Sequence, residues 1–300
     1  MINQPLVSVI INSYNGEKFI SKSVNSALSQ SYENFEIIFW DNKSTDNTEK
    51  IIKEFSSLTN KIKYFKSDKH DLLYMARKKA IEVANGEYYA ILDVDDWWDK
   101  DKLIKQIPLF LSKSVGIVCS NYWLINERKN KAAKKVFNSL PQGKVLNKLL
   151  KKNFVGMSTL VFSKKAYESL EYGFNEKYEI IGDYDLVLRL SSKWSLASVQ
   201  APCSYYRWHG ENLSIKKMNL NNEELLSWIE DMKKNKIICE QPNFKYLISL
   251  TYFYRGLILI LSSNRFSAYK FMKKIKIYRL KFQLLILLFI PVYIIKLIRS

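Results

Sequence analysis

Cysteine is scarce in this chain of 300 residues, which contains three of them, Cys119, Cys203 and Cys239. They are odd in number and widely spaced, so they form neither a zinc-binding pattern nor a disulfide framework. We therefore expect buried free thiols in a reducing compartment. The first residues also lack a basic region and a small-residue cleavage site, so we expect no secretory signal peptide.

Acidic residues are missing from the last 60 residues of the chain, because Glu240 is the last of them. Those 60 residues carry 11 Lys or Arg, so of the net charge of +18 only +7 belongs to the first 240. A basic segment can bind nucleic acid or an anionic membrane. The runs 246–261 and 284–298 are too apolar for a solvated nucleic-acid arm, so the sequence favours a membrane and argues against nucleic acid.

The apolar run 284–298 is shorter than the roughly 20 residues that a membrane-spanning helix needs, and Pro291 interrupts it. Basic residues with partly helical spacing precede it, between positions 270 and 281. This pattern predicts a segment that lies in the plane of an anionic membrane surface. The alternative is a pair of amphipathic helices that pack against the rest of the protein.

Strand and helix patterns alternate through the first 120 residues. The predicted strands are 6–12, 35–40, 61–65, 88–92 and 116–120, and the predicted helices between them are 17–30, 46–55, 71–84 and 100–111. Such alternation predicts an α/β fold with a mostly parallel sheet flanked by helices. Ligands of such sheets bind beyond the carboxyl ends of the strands. Further along, a basic hairpin or loop is expected at 121–135 and helices at 144–152 and 184–192.

Three carboxylates follow the fourth predicted strand: Asp93, Asp95 and Asp96. Strand residues alternate between faces, so Asp93 and Asp95 are expected on the same side. Two adjacent carboxylates favour a hard cation such as Mg²⁺ or Mn²⁺, which shares its ligands with substrate phosphates. The alternative is a helix from Trp97 to Phe110 with Asp96 as its N-cap.

The usual glycine-rich phosphate loops are absent. The turn after the first strand, Asn12–Gly16, lacks the Gly-x-Gly-x-x-Gly pattern, so a dinucleotide-binding fold of the NAD type is not expected. No Walker A sequence is present either. Asp41, at the end of the second strand, could accept a hydrogen bond from the imide N–H of a base, although taken alone Asp41-Asn42 is more often just a turn.

Four segments together resemble family 2 glycosyltransferases: residues 7–16, 39–48, 90–96 and 182–190 occur in the family's order. The resemblance covers about residues 5–215. It implies a GT-A fold, a UDP-sugar donor and a divalent metal, Mn²⁺ or Mg²⁺. The chain departs from the family pattern at Asn42 and Lys43, where Asp and Gly are common.

The resemblance also implies roles for single residues. The residues that would bind the nucleotide sugar are Asn12, Ser13, Tyr14, Asp41, Asp93, Gly156 and Arg207. Asp95 and His209 would bind the metal, and Asp183 would be the catalytic base. From spacing alone, Asp183 reads as a helix N-cap and His209 as a solvated side chain. Asp185 would have a structural role.

The sequence-based division assigns residues 1–120 to a nucleotide-sugar-binding half, 121–215 to an acceptor and catalytic half of the same domain, and 216–300 to a basic, apolar helical extension. The resulting hypothesis is an inverting hexosyltransferase, peripheral to the cytoplasmic face of a bacterial inner membrane. Its acceptor would be a lipid-diphosphate-linked saccharide in O-antigen (lipopolysaccharide) or capsule assembly. The alternatives are a sugar nucleotidyltransferase and a non-catalytic membrane adaptor on a transferase scaffold.

Overall fold

A computed structural model of the chain describes residues 4–127, 131–210, 212–213 and 217–299. The chain divides into two compact units, the first comprising Met1–Val145 and Phe154–Asn212. The second comprises Leu146–Asn153 and Leu213–Ser300. The sequence-based division does not anticipate that residues 146–153 group with the C-terminal helices.

Among the described residues, nine strands form the sheet of the first unit, in the order β3-β2-β1-β4-β8-β6-β9-β5, with β7 paired to β6. The strands are β1 (Val7–Ser13), β2 (Phe35–Asp41), β3 (Ile62–Lys66), β4 (Tyr88–Asp93), β5 (Trp97–Trp98), β6 (Val115–Asn126), β7 (Lys131–Lys135), β8 (Val161–Ser163) and β9 (Ser195–Trp208). The four strands β3, β2, β1 and β4 are parallel, as predicted. Beyond β4 the sheet is mixed, because β8 runs antiparallel to both β4 and β6.

The helices of the alternating region lie where the apolar spacing predicts them. They are α1 (Ile20–Leu28), α2 (Thr48–Leu58), α3 (Leu73–Glu82) and α4 (Lys102–Gln106). Further along the chain, α5 (Leu146–Lys151) and α7 (Gly182–Lys193) correspond to the helices predicted at 144–152 and 184–192, whereas α6 (Lys164–Glu168) was not predicted. The predicted helix 100–111 is split, since Ile107–Leu111 is a 3₁₀ turn after α4. Pro108 lies at the start of that turn and has no backbone N–H with which to continue an α-helix.

The central strands carry the core of the first unit. Val9 and Ile11 of β1, together with Ile37 and Phe39 of β2, are fully buried in one apolar cluster. These strands read as near-continuous apolar runs because helices cover both faces of a parallel sheet. Apart from Ser8 and Glu36, which are hydrogen-bonded to each other near the starts of β1 and β2, the polar residues of these strands stand where the strands end, so the core fixes the position of that edge.

The alternative prediction of a helix that begins at Trp97 is wrong. Trp97 and Trp98 form the short strand β5, which pairs antiparallel with Tyr205 and Ser204 of β9. Asp96 is therefore not an N-cap, and α4 begins only after Asp101. The pairing partner of β5 lies more than 100 positions along the chain, so local spacing carries no sign of it.

The hairpin predicted at 121–135 is present as the antiparallel pair β6 and β7, although residues 128–130 lie outside the described residues. All three cysteines are free thiols. Cys119 and Cys203 are buried as expected, whereas Cys239 is only partly buried.

The second unit is helical. Besides α5, its helices are Met218–Met232, Lys236–Cys239, Phe244–Leu261, Arg265–Lys274, Tyr278–Phe289 and Val292–Arg299. Leu257, Ile260, Met272 and Leu284 belong to its apolar core. Within the described residues, Phe244–Leu261 alone has the length and apolar composition to cross a membrane. That helix is 39% buried inside the protein, and a core helix of a soluble protein has the same composition.

Candidate functional site

The register of the parallel strands brings the predicted site residues to one edge of the sheet. Asn12 of β1 pairs with Asp93 of β4 on one side and with Trp40 of β2 on the other. Ser13 pairs with Asp41. Paired residues of a parallel sheet project to the same face and successive residues to opposite faces. At this edge Asn12 and Asp93 therefore share one face, and Ser13 and Asp41 share the other.

Asp41 is fully buried and holds the turn that follows β2. Its Oδ1 accepts a hydrogen bond from the Ser44 N–H at 2.7 Å, and its Oδ2 accepts one from the Tyr64 hydroxyl at 3.0 Å. Burial raises the pKa of Tyr64, and the nearby charge of Asp41 raises it further. The hydroxyl therefore keeps its proton and stays a hydrogen-bond donor. Lys43 adopts a φ of +65°, a conformation that favours glycine. The turn thus keeps the shape that the family's glycine permits, although this chain has Lys there.

The turns after β1 and β2 are joined by hydrogen bonds. Asn15 N–H donates to Ser44 Oγ at 2.9 Å, and Gly16 N–H donates to Thr48 Oγ1 at 2.9 Å. Tyr14, in the turn after β1, is half exposed, and its ring centroid lies 4.1 Å from that of His70. Tyr14 therefore presents an aromatic surface beside the turn that Asp41 organises, which suits contact with a planar base.

Two polar side chains at the end of β1 lack partners within the described protein. The Asn12 Nδ2 and Oδ1 and the Ser13 Oγ are buried and make no hydrogen bond in the part of the chain that the structure describes. Buried polar groups are normally paired, because losing hydration without a partner costs about 1–3 kcal/mol each. Both residues therefore have hydrogen-bonding capacity left for a bound polar group.

Arg77 is a site residue that the sequence reasoning missed. It is buried on the inner face of α3, and its Nη2 donates to Asp93 Oδ1. Burial raises the pKa of Asp93, the Arg77 charge opposes that rise, and the charges of Asp95 and Asp183 add to it. A signal was available, since Arg77 lies three positions from Tyr74 and four from Ile81, at the spacing of the buried face.

Asp183 lies inside the first turn of α7, after Gly182. It is not the N-cap, because that position belongs to Ile181, and its Oδ1 accepts a hydrogen bond from the Tyr184 N–H at 2.6 Å. A Cβ at Gly182 would lie 2.4 Å from the Tyr74 ring, so glycine permits this close approach of α7 to α3. Burial raises the pKa of Asp183, and the Arg77 guanidinium opposes that rise.

Asp185 serves the fold. It is fully buried, and its Oδ2 accepts hydrogen bonds from Arg189 Nε at 3.0 Å and Nη2 at 2.6 Å. Arg189 also donates to the carbonyls of Tyr172 and Gly173 at 2.7 Å. The pair thus fastens the preceding loop to α7, whose first turn carries Asp183.

Asp95 and His209 form a pair across the site, with Asp95 Oδ2 and His209 Nε2 3.1 Å apart. The His209 N–H donates to Asn212 Oδ1 at 3.1 Å, and the ring centroid of Phe19 lies 5.0 Å from that of the imidazole. Adjacent ligands of an octahedral ion with bonds of ~2.1 Å lie ~3.0 Å apart, so this pair fits Mn²⁺ or Mg²⁺.

Within the described residues, no group of three or more His, Cys, Asp or Glu side chains could hold a metal ion. A metal at Asp95 and His209 would therefore complete its coordination with phosphate and water oxygens, as Mg²⁺ commonly does in nucleotide sites.

Asp96 and Arg207 hold the neighbouring backbone in place. Asp96 is buried, and its Oδ1 accepts a hydrogen bond from the Arg207 N–H at 2.9 Å. The Arg207 Nε donates to the Asp95 carbonyl at 2.8 Å, and its Nη1 pairs with Glu127. The guanidinium of Arg207, predicted to bind the nucleotide sugar, thus also holds the backbone of Asp95, which is predicted to bind the metal.

Ser158, two positions after the predicted Gly156, is the second residue that the sequence reasoning missed. Its hydroxyl donates to Asp96 Oδ2 at 2.5 Å and accepts from the Asp93 N–H at 3.2 Å. Its carbonyl accepts from Trp98 Nε1 at 2.7 Å. Gly156 precedes this 3₁₀ turn (Met157–Thr159), so the glycine loop reaches the carboxylates through Ser158.

Trp97 and Trp98 pack within the protein. Tyr205 stacks on Trp97 with ring centroids 5.1 Å apart, and Lys22 Nζ lies 3.3 Å from the Trp97 centroid. The Trp97 ring is therefore occupied by contacts within the protein.

Residues 8–170 match the family model described as Glycosyl transferase family 2. One relative is the Escherichia coli UDP-Glc:alpha-D-GlcNAc-diphosphoundecaprenol beta-1,3-glucosyltransferase WfgD, 33% identical over 214 residues, which are 71% of this chain and 81% of the relative. Another is the E. coli enzyme of the same description, WfaP, 32% identical over 237 residues, 78% of this chain and 90% of the relative.

Solved structures with the same fold include S. aureus TarS 1-349 in complex with UDP. It has a TM-score of 0.56 and 18% identity, over 78% of this chain and 70% of that one. The mannosyltransferase PcManGT from Pyrobaculum calidifontis, in complex with GDP-Man and Mn²⁺, has a TM-score of 0.62 and 15% identity, over 91% and 75% of the two chains. The predicted GT-A fold is thereby confirmed.

Proposed function

This chain belongs to glycosyl transferase family 2, and from that premise we propose that it is an inverting glycosyltransferase. It moves a hexose or N-acetylhexosamine from a UDP-sugar to a lipid-diphosphate-linked saccharide and forms a β-linkage. The relatives WfgD and WfaP are described as transferring from UDP-Glc to a GlcNAc-diphosphoundecaprenol. TarS is known in complex with UDP and with UDP-GlcNAc, which also supports a uridine donor.

One observation carries the proposal: the buried Arg77 is hydrogen-bonded to Asp93 at the end of β4, and its charge also acts on Asp183 in α7. Its guanidinium donates to Asp93, and its charge acts on both carboxylates. A carboxylate at the donor strand edge is thereby linked to one on a separate helix. That arrangement suits a transfer reaction, in which donor and acceptor must meet at one carbon.

Each part of the site has a task in this reaction. Tyr14 contacts the uracil, and the buried Asp41 holds the turn beside it. The unpartnered polar atoms of Asn12 and Ser13 form hydrogen bonds with the nucleoside. Asp183 accepts the proton of the acceptor hydroxyl as that oxygen attacks the anomeric carbon. The attack comes from the face opposite the departing diphosphate, so an α-linked donor gives a β-linked product.

Asp95 and His209 are the residues that would hold Mn²⁺ or Mg²⁺, which when bound neutralises charge on the leaving diphosphate. Arg207 supports this site by holding the Asp95 backbone and by placing positive charge beside it. We further propose that the protein works at the cytoplasmic face of the inner membrane, as a peripheral enzyme of O-antigen or capsule assembly. A lipid-linked acceptor requires access to that surface.

A donor screen tests the proposal. Purified protein is incubated with Mn²⁺, a GlcNAc-diphosphate-lipid analogue and individual UDP-sugars, and released UDP is measured. We expect one UDP-hexose or UDP-N-acetylhexosamine to give UDP release that the acceptor stimulates. Release of pyrophosphate from UTP and a sugar phosphate, with no UDP formed from any donor, would instead indicate a nucleotidyltransferase.

A further inference from the structure

One face of the helix Tyr278–Phe289 is apolar and uncovered. Tyr278, Phe282, Leu285 and Phe289 are spaced by four, three and four positions, so they form a single stripe along the helix. Their side chains are 80%, 49%, 37% and 79% exposed. The opposite face is already packed into the core of the second unit, through Leu280, Leu284 and Leu288. This helix is therefore apolar on two sides, and only one of them packs against the rest of the described second unit.

The helix Arg265–Lys274 begins beside one end of the outer stripe, meaning Tyr278, Phe282, Leu285 and Phe289. The Arg265 guanidinium donates to the carbonyl of Leu288 and to that of Ile290, the latter at 2.7 Å. These bonds fix the start of the helix Arg265–Lys274 beside the end of the stripe. Phe266 follows Arg265 and is exposed, so it adds a further aromatic side chain at that end.

Exposed basic residues lie on the helix that carries the outer stripe and on the segment that precedes it in the sequence. This basic rim consists of exposed Lys and Arg side chains: Lys270, Lys273, Lys274, Lys276, Arg279 and Lys281. No acidic residue follows Glu240 in the sequence. Lys270 Nζ lies 4.6 Å from the ring centroid of Phe266, and Lys273 Nζ lies 4.7 Å from that of Tyr269. Cations and aromatic rings are thus interleaved among the exposed side chains of the helix Arg265–Lys274.

Two features of this surface identify what covers it. Soluble monomers rarely expose contiguous apolar patches, so a partner is expected. Aromatic and aliphatic side chains within a basic rim match the boundary between anionic headgroups and acyl chains. A second copy of this chain would place like charges opposite each other, because the rim contains no acid to pair with them.

We propose that the outer stripe and the basic rim form a docking face for anionic phospholipid. The 12-residue helix is about 18 Å long, shorter than the ~30 Å hydrocarbon core of a bilayer, so it lies in the plane of the surface. The stripe enters the acyl region, and the rim contacts the headgroups. This inference names the surface and the lipid chemistry for the membrane attachment proposed above, and it is independent of the transfer reaction.

Vesicle binding by the full-length protein tests the docking face. Phosphatidylcholine vesicles with about one third phosphatidylglycerol should bind it, and pure phosphatidylcholine vesicles should bind it at least tenfold more weakly. The triple variant Phe282→Gln, Leu285→Gln, Phe289→Gln should bind anionic vesicles at least tenfold more weakly than wild type. It should keep its melting temperature, since these side chains are exposed. The matched control is Leu58→Gln with Leu111→Gln, leucines 83% and 88% exposed in the first unit, which should bind like wild type.

Two outcomes would overturn the proposal. The triple variant could bind anionic vesicles as tightly as wild type, in which case the stripe does not contact lipid. Alternatively, wild type could fail to bind vesicles and sediment as an oligomer, while the triple variant sediments as a monomer. The stripe would then be a contact between copies of the chain. Acceptor-dependent UDP release with a water-soluble acceptor is measured in parallel and should be unchanged in the triple variant. This second measurement distinguishes a loss of vesicle binding from a failure of the transfer reaction.

Discussion

Replacing Asp183 by Asn is expected to lower kcat by about 10²- to 10⁴-fold, the usual contribution of a general base. Asparagine has the same shape and can still accept the hydrogen bond that the Tyr184 N–H donates at 2.6 Å. It cannot take the proton of the acceptor hydroxyl. Binding of UDP, measured by calorimetry, should stay close to the wild-type value, because the uridine contacts lie at the ends of β1 and β2.

Asp185→Asn, two positions away, is the matched control. Asp185 is buried against Arg189, and breaking such a pair costs about 3–5 kcal/mol. We therefore expect a lower melting temperature, with kcat much less affected in the protein that remains folded. Retained turnover in the Asp183 variant would refute its assignment as the base. Equal loss of kcat in both variants without a change in melting temperature would refute the distinction between the two carboxylates.

The pH dependence offers an independent view of the same residue. Burial raises the pKa of Asp183 above its usual range, and Arg77 moderates that rise. Because only the ionised carboxylate acts as a base, kcat/KM should fall as the pH drops through this raised pKa. The acid limb should therefore lie above the ordinary aspartate value of about 3.9. The residual activity of Asp183→Asn should lack that limb.

Replacing Asp95 or His209 by Ala is expected to weaken Mn²⁺ binding in the presence of UDP by at least about 100-fold. The two side chains approach within 3.1 Å, so they would act on one ion. Removing both should cost little more than removing one, because neither binds tightly without the other. Electron paramagnetic resonance titration of Mn²⁺ measures this affinity directly, without reference to turnover.

Asp101→Ala controls for the loss of a partly exposed carboxylate elsewhere in the same unit. It should leave the Mn²⁺ titration unchanged. Undiminished Mn²⁺ affinity in the double variant of Asp95 and His209 would show that the metal is held elsewhere. An excess of EDTA should stop acceptor-dependent UDP release in wild type, and added Mn²⁺ should restore it.

Much of the fold was predictable because its signals are local. The apolar runs that end in Asn12, Asp41 and Asp93 predicted three parallel strands and the edge where they end. The helix predicted from Trp97 failed because β5 exists only through its pairing with Tyr205 and Ser204 of β9. The spacing of apolar residues and the preference for N-cap residues depend on a few neighbouring positions. They therefore give no sign of a pairing strand that is so distant in the sequence.

The same distinction explains the site residues. Asp95 and Asp183 each have a second aspartate two positions away, so both clusters are visible in the sequence. The resemblance to the family assigned the two residues their roles. Ser158 has no such signal, because its importance lies in joining Asp93, Asp96 and Trp98, which come from another part of the chain. Arg77 had a partial signal in its helix spacing, but its charge interaction with Asp183 depends on the position of α7.

The central claim is that one displacement transfers a sugar from UDP with inversion at the anomeric carbon. Nuclear magnetic resonance of the product tests it most directly, using an α-linked UDP-hexose and a GlcNAc-diphosphate-lipid analogue as substrates. The account predicts a single new β-glycosidic bond, formed in equal amount with the released UDP. An α-linked product would contradict it.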